Sequence, residues 1–277
     1  MKKIIVPVDF SEHSEYALQT AASIAKKQNS EIIVVHMLEL SNAIITQKQS
    51  YAMEEAAFYL KLAEKKFQDF LNQEFLSDLT VTPIIKHYKI FSELNDLAKE
   101  EGADLIVMGS QGASGLKEIF IGSNTEKVVR NSSVPVLVTK GKAVVSDLKN
   151  AVFGCDFSDD DIVPYQNAKN LLKKLNCNLQ LLHINTPYGK FKTTKEMKEK
   201  VAKFLTKANE SELTFKDVAY VSDYTVENGI LEYAHDQDID LIVLATHGRK
   251  GLAHFFEGSI SEDIANHSDI PVLTFKI

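Results

Sequence analysis

Ile4-Ile5-Val6-Pro7-Val8-Asp9-Phe10-Ser11 recurs further down the chain as Ala151-Val152-Phe153-Gly154-Cys155-Asp156-Phe157-Ser158, a shift of 147 residues. Glu31-Ile32-Ile33-Val34-Val35-His36 returns at the same shift as Asn178-Leu179-Gln180-Leu181-Leu182-His183. Asp104-Leu105-Ile106-Val107-Met108 returns as Asp240-Leu241-Ile242-Val243-Leu244, and Val134-Pro135-Val136-Leu137-Val138 as Ile270-Pro271-Val272-Leu273-Thr274, both shifted by 136. Four segments in one order, with a single consistent deletion of 11 residues, mark a duplicated unit. The chain reads as two tandem domains, 1–141 and 147–277, with a linker at Gly141 to Ser146.

In the first copy, residues 4 to 8, 32 to 37, 81 to 86, 104 to 108 and 134 to 138 are short β-branched runs. Their near-continuous hydrophobicity suits parallel strands covered on both faces. Ala17, Leu18, Ala21, Ile24 and Ala25 form the stripe of a helix lying on that sheet. Ser11 is placed to cap this helix, with Glu12 and Glu15 at the positive end of its dipole. Residues 51 to 73 predict a second helix, and its counterpart near 193 to 210 takes the deletion. In the second copy Ser158 and three aspartates precede a helix with Leu171, Leu172 and Leu175 on its apolar face. Alternating strands and helices predict the α/β class, one open parallel sheet per copy.

The 277 residues are 44% hydrophobic and 25% charged, which excludes disordered, collagenous and coiled-coil chains. A net charge of −7 supplies no basic face for nucleic acid or an anionic membrane, so neither is expected as a partner. Cys155 and Cys177 have no metal-ligand spacing and read as free thiols in a reducing compartment. With no signal-peptide core and no run of eighteen apolar residues, the expected location is cytoplasmic. The eight histidines show no ligand spacing, and His36 and His183 sit equivalently inside strands, as core histidines would. The last strand of each copy contains a proline, which belongs at a sheet edge, and an exposed hydrophobic edge needs cover.

Glycine is scarce, 12 residues, yet seven fall in two short stretches. In the first, strand 104 to 108 runs into Gly109-Ser110-Gln111-Gly112, and nine residues later comes Gly122-Ser123-Asn124. The second reads Ala245-Thr246-His247-Gly248, then Gly258-Ser259-Ile260. Such residues beyond a parallel strand allow unusual φ and the close approach of a phosphate to backbone N–H groups. Ser123-Asn124-Thr125-Glu126 and Ser259-Ile260-Ser261-Glu262 have capping-box form, so a helix is expected to begin at each serine. Plain turns and capped helices would give the same pattern. What favours a ligand is convergence at the carboxyl end of one sheet, where open α/β folds bind at the reversal of strand order.

Gly109-x2-Gly112-x9-Gly122-Ser123-Asn124, behind a strand ending in Asp9, resembles the nucleotide-binding signature of the universal stress protein (UspA-like) family in its ATP-binding branch. The likeness extends over almost the whole chain, once per copy, as in a tandem member. It implies five-stranded parallel sheets of order 3-2-1-4-5, adenine nucleotide alpha hydrolase-like, packed as an internal pseudo-dimer through the last strands. It also implies ATP, or AMP or ADP, with or without Mg2+, held across strands 1 and 4. Pro7, Val8 and Asp9 would lie at the sugar, with Asp9 accepting from the ribose hydroxyls. Met37 would meet the adenine through its backbone. Met108 and Gly109 would pass close to the ribose, and Gly112, Gly122, Ser123, Asn124 and Thr125 would hold the phosphates. In the second copy the matching residues are Asp156, Ile184, Gly248, Gly258 and Ser259, with His247 and Arg249 as possible anion donors. There Ala245 replaces a glycine and Ile260 replaces Asn124, so weaker binding, another anion or a structural role is expected.

Independently, a carboxylate is a better acceptor for ribose hydroxyls than a neighbour for triphosphate, although Asp9 could equally cap the following helix and Met37 be a core residue. No GxxxxGK[ST] loop, GxGxxG opening, GxSxG elbow or HExxH pair is present. Phosphoryl transfer needs a metal-holding carboxylate and a group that positions the nucleophile, and neither is visible at the glycine loops. The favoured expectation is a nucleotide-binding stress-response regulator or sensor. The alternatives are a slow ATPase or phosphate-transferring enzyme and a scaffold without ligand, and a homodimer is also open.

Overall fold

A computed structural model of the chain describes residues 1–38, 49–87, 92–110, 123–141, 148–187, 191–246, 264–265 and 267–277. The first half comprises β1 (Lys3–Val8), α1 (Glu12–Gln28), β2 (Glu31–Leu38), α2 (Gln49–Leu71), β3 (Val81–His87), α3 (Ser92–Glu100), β4 (Leu105–Gly109), α4 (Ser123–Asn131) and β5 (Val136–Thr139). The second comprises β6 (Asn150–Gly154), α5 (Ile162–Lys174), β7 (Asn178–Asn185), α6 (Thr194–Lys207), β8 (Val218–Ser222), α7 (Val226–Asp236), β9 (Leu241–Thr246) and β10 (Val272–Lys276). The expected linker, apart from Gly141, lies outside the described residues.

Each half has the expected 3-2-1-4-5 order, but the two sheets are not separate. They join into one sheet of ten strands, β3-β2-β1-β4-β5-β10-β9-β6-β7-β8. The junction is antiparallel, with Val272 opposite Val138, Leu273 opposite Leu137 and Thr274 opposite Val136. Each last strand would be an exposed hydrophobic edge alone, and pairing satisfies both ladders at once. The prolines do not lie within these strands as expected. Pro135 and Pro271 stand just before them, and their carbonyls accept from Ile106 N (2.9 Å) and Ile242 N (3.0 Å). A proline there leaves the ladder intact, since its missing N–H is not asked for.

One face of the sheet carries a single core running through both halves, from Leu18, Val34 and Phe67 to Phe153, Tyr165 and Phe204. The other face carries two separate cores, one around Leu94, Val128 and Met108, the other around Ile230, Ile264 and Leu244. The halves are therefore bound by one shared layer and one shared ladder. Among the described residues, no helix is long and apolar enough to cross a membrane.

Candidate functional site

The carboxyl end of β1 is a tight turn. Asp9 accepts from Ser11 N through Oδ1 at 3.0 Å, and the Ser11 hydroxyl accepts from Ser14 N at 3.3 Å, capping α1 as the sequence predicts. Phe10 between them is left-handed, φ 63°, a conformation costing a side-chain-bearing residue on the order of 1 kcal/mol. Packing offsets that cost. The Phe10 ring lies 4.4 Å from His36 and edge-on to Phe67 and Phe70 at 5.2 and 5.6 Å. His36 Nδ1 is 2.8 Å from Val8 O. A carbonyl only accepts, so Nδ1 carries the proton, and burial pushes the His36 pKa down despite that bond. His36 is thus a neutral structural histidine that locks the strand end.

The second half repeats this brace. Phe157 has φ 61°, Asp156 Oδ1 accepts from Ser158 N at 2.8 Å, and His183 Nδ1 is 3.0 Å from Cys155 O. Phe157 packs on His183 and Phe204 at 5.5 and 5.3 Å. Nothing in local propensity predicts a left-handed phenylalanine. Its one sequence signal is the twofold occurrence of Asp-Phe-Ser.

Beyond the brace the halves diverge. Lys3 O accepts from Asp104 N, so alternate residues of β1, Lys3, Ile5 and Pro7, turn their backbone groups toward β4. Pro7 has no N–H to offer there, and the β1–β4 register covers only Ile4 with Leu105 and Ile5 with Ile106. The equivalent of Pro7 is Gly154, which has an N–H. The β6–β9 register runs over four pairs, up to Gly154 with Leu244. The first half therefore lacks one ladder hydrogen bond near the carboxyl end of β1 that the second half has a donor for.

At the end of β4, Gly109 does not take a left-handed φ, so conformational freedom is not its reason. A Cβ there would meet His13 O at 2.8 Å, in the first turn of α1. The glycine allows β4 and α1 to close on each other behind Asp9. Thr125 in the first turn of α4 donates its hydroxyl to Gly109 O at 2.9 Å. That bond sets the N-terminus of α4 against the end of β4, with α4 beginning at Ser123 as expected. Glu126, the far member of the expected capping box, accepts from Arg130 at 2.9 Å.

In the second half the position of Gly109 is Ala245, packed against the shared core. The helix start facing it differs too. Ser158 caps a short 3-10 turn, Asp159–Asp161, ahead of α5. Asp161, where the first half has Ser14, accepts from Ser158 N and Oγ at 3.1 Å and from the Cys155 thiol at 3.6 Å. Burial, then its hydrogen bond and proximity to Asp156, push the Asp161 pKa up to about 6. Burial works against the ionised form of Asp156 as well, but Asp161, Lys200 and Ser158 outweigh it and hold Asp156 below its ordinary value. Lys200 Nζ stands 3.6 Å from Asp156 Oδ2. Ile184 is buried, and its Cγ2 would be 2.8 Å from a Cβ on Gly229. Asn185 is tied at both ends of its amide to Lys192, at 3.0 and 3.2 Å.

Of the expected first-half residues, Pro7, Val8 and Met108 are buried, Met37 and Asn124 half-buried, and Asp9 exposed. The fold brings Pro7, Val8, Asp9, Gly109 and Thr125 together at one end of β1 and β4. Gly112, Gly122, Gly248, Gly258, Ser259, Ile260, His247 and Arg249 lie outside the described residues. Sequence reasoning missed the Thr125 bond to Gly109, the Lys200 partner of Asp156 and the Asp156–Asp161 pair. Both cysteines are free and buried, with Cys177 pushed up to about 11 by burial. Among the described residues, no group of three His, Cys, Asp or Glu side chains could hold a metal ion.

This geometry has relatives. The universal stress protein MJ0577 of Methanocaldococcus jannaschii is 32% identical over 161 residues, 51% of this chain and 96% of that protein. A universal stress protein of Mycolicibacterium smegmatis is 24% identical over 99% of this chain and 96% of its own length. The crystal structure of a universal stress protein from Archaeoglobus fulgidus superposes with a TM-score of 0.68 at 23% identity, covering 99% of this chain and 98% of that one. The universal stress protein family itself matches twice, over residues 1–140 and 148–276. The chain belongs to the universal stress protein family and carries two of its domains in tandem.

Proposed function

We propose that the first domain binds ATP or a related adenine nucleotide and that the protein serves as a stress-response regulator or sensor rather than as a turnover catalyst. The observation that carries this reading is the juxtaposition at the reversal of strand order of the exposed Asp9, at the end of β1, with the first turn of α4, which the Thr125 bond to Gly109 holds at the end of β4. Ligands of open α/β sheets bind at this point. A carboxylate suits the two ribose hydroxyls, and a helix N-terminus suits phosphate. Met37 would border the base, and Gly112, Gly122 and Ser123 would take the phosphates, by the sequence signature they share with the family. Mg2+ would be carried by the phosphates, since the described part of the site offers it no cluster of ligands.

In the second domain Asp161 backs Asp156, Ala245 takes the place of Gly109 and Ile260 that of Asn124. That domain is proposed to bind nucleotide weakly or to be structural. Calorimetric titration of the full chain with ATP, ADP and AMP tests the reading. Binding that Asp9→Asn weakens supports it, and no binding of any of the three overturns it.

A further inference from the structure

Two lysines at equivalent places, Lys140 just after β5 and Lys276 at the end of β10, each cross to the other domain. Lys276 Nζ donates to Asn131 O at 3.2 Å, the last carbonyl of α4. Lys140 Nζ donates to Ala265 O, in the helical residues that precede β10. Ser132 N occupies Val128 O and Ser268 N occupies Ile264 O, so each lysine takes a carbonyl that its helix leaves free. An ammonium at a helix C-terminus is also favoured by the dipole. Lys140 is 8% exposed, and burial pushes its pKa down to about 8 although Asp269 opposes the shift.

We propose that Lys276 and Lys140 are reciprocal positioning residues, Lys276 fixing α4 of the first domain and Lys140 the helical residues 264–265 of the second, each from the opposite domain. For the first domain this deepens the nucleotide-binding reading and rests on it. α4 is nine residues long, about 13 Å. Its C-terminal end is held by Lys276 and its first turn by the Thr125 bond to Gly109. A change in the second domain that moves β10 thus reaches the expected phosphate end of the first domain's site. Coupling of this kind acts equally in both directions.

The test uses the full chain and two readouts. Amide hydrogen exchange without nucleotide reads the brace: Lys276→Met speeds exchange in residues 123–131 by about two- to fivefold, and Lys276→Arg restores it. Lys140→Met is the mirrored control and leaves 123–131 unchanged. Unchanged exchange in Lys276→Met overturns the proposal. ATP titration reads the link to binding: Lys276→Met weakens ATP by a similar factor, again rescued by arginine, while Lys140→Met does not. Faster exchange with unaltered ATP affinity overturns the coupling. If the unmodified protein binds no nucleotide, the binding reading fails, while the exchange result still decides the brace. Chemical denaturation of all three variants separates a local change in α4 from a general loss of stability.

Discussion

The two halves present the same Asp-Phe-Ser turn on the same strand-locking histidine, yet the central ladder ends after two pairs in one and continues for four in the other. The difference traces to one backbone donor, absent at Pro7 and present at Gly154. A second difference follows at the neighbouring strand, where Gly109 admits the α1 turn and Ala245 faces a displaced helix start. A third is electrostatic, since the buried Asp161, hydrogen-bonded to Asp156, stands where the first half has Ser14. Duplication preserved the brace and altered what stands on it. The common part is structural, and the divergent part lies where the proposed nucleotide would bind.

The largest expected effect probes what the halves share. Phe67→Ala and Phe204→Ala each remove a buried ring that supports the left-handed phenylalanine, and each should cost about 3–5 kcal/mol in chemical denaturation. A large cost in only one half would break the equivalence. Next, Gly109→Ala forces a methyl onto the His13 carbonyl and should cost about 1–3 kcal/mol. Ala245→Gly should cost less, about 0.5–1 kcal/mol, because it adds no clash and only loosens the strand. Measured side by side, equal costs would show that the α1 contact is not the reason for Gly109.

Smaller again is the contrast of carboxylates. Asp9→Asn should weaken ATP about tenfold in titration, the scale of one charged hydrogen bond, and Asp156→Asn should leave that affinity unchanged. The smallest effect concerns Asp161. Its folded pKa, about 6, lies above its ordinary 3.8, so the native state holds a proton that the unfolded chain releases between those values. Its contribution is therefore best below about pH 4, worsens as pH rises to about 6, and stays unfavourable above. Asp161→Asn should stabilise the protein by roughly 1 kcal/mol at pH 7.5, with the gain gone by pH 4. A gain independent of pH would assign it to packing instead of charge.

Much of this was legible beforehand. The repeat set the alternation of strands and helices and the Ser11 cap, because periodicity and turn chemistry act locally, whereas the strand order and the pairing of the two last strands came with the family resemblance, the edge alone saying only that it needs cover. The merging of two sheets into one is that same pairing seen whole. Legibility failed where contacts join distant positions or where a residue works against its preference. Phe10 and Phe157 sit in a conformation that phenylalanine avoids, held by rings from α2 and α6. Lys200 meets Asp156, and Lys276 meets Asn131 across 145 residues, with no local pattern to announce either. At Gly109 the sequence predicts unusual φ or close ligand approach; its φ is ordinary, and the close contact of α1 has no local signal.

The central claim is that one nucleotide site works and the other has diverged. Native mass spectrometry of the full chain with excess ATP counts the bound nucleotides directly. The account predicts one ATP per chain, whose occupancy at limiting ATP falls in Asp9→Asn and is kept in Asp156→Asn. Two equivalent ATP molecules per chain, or one that survives Asp9→Asn and disappears in Asp156→Asn, would contradict it.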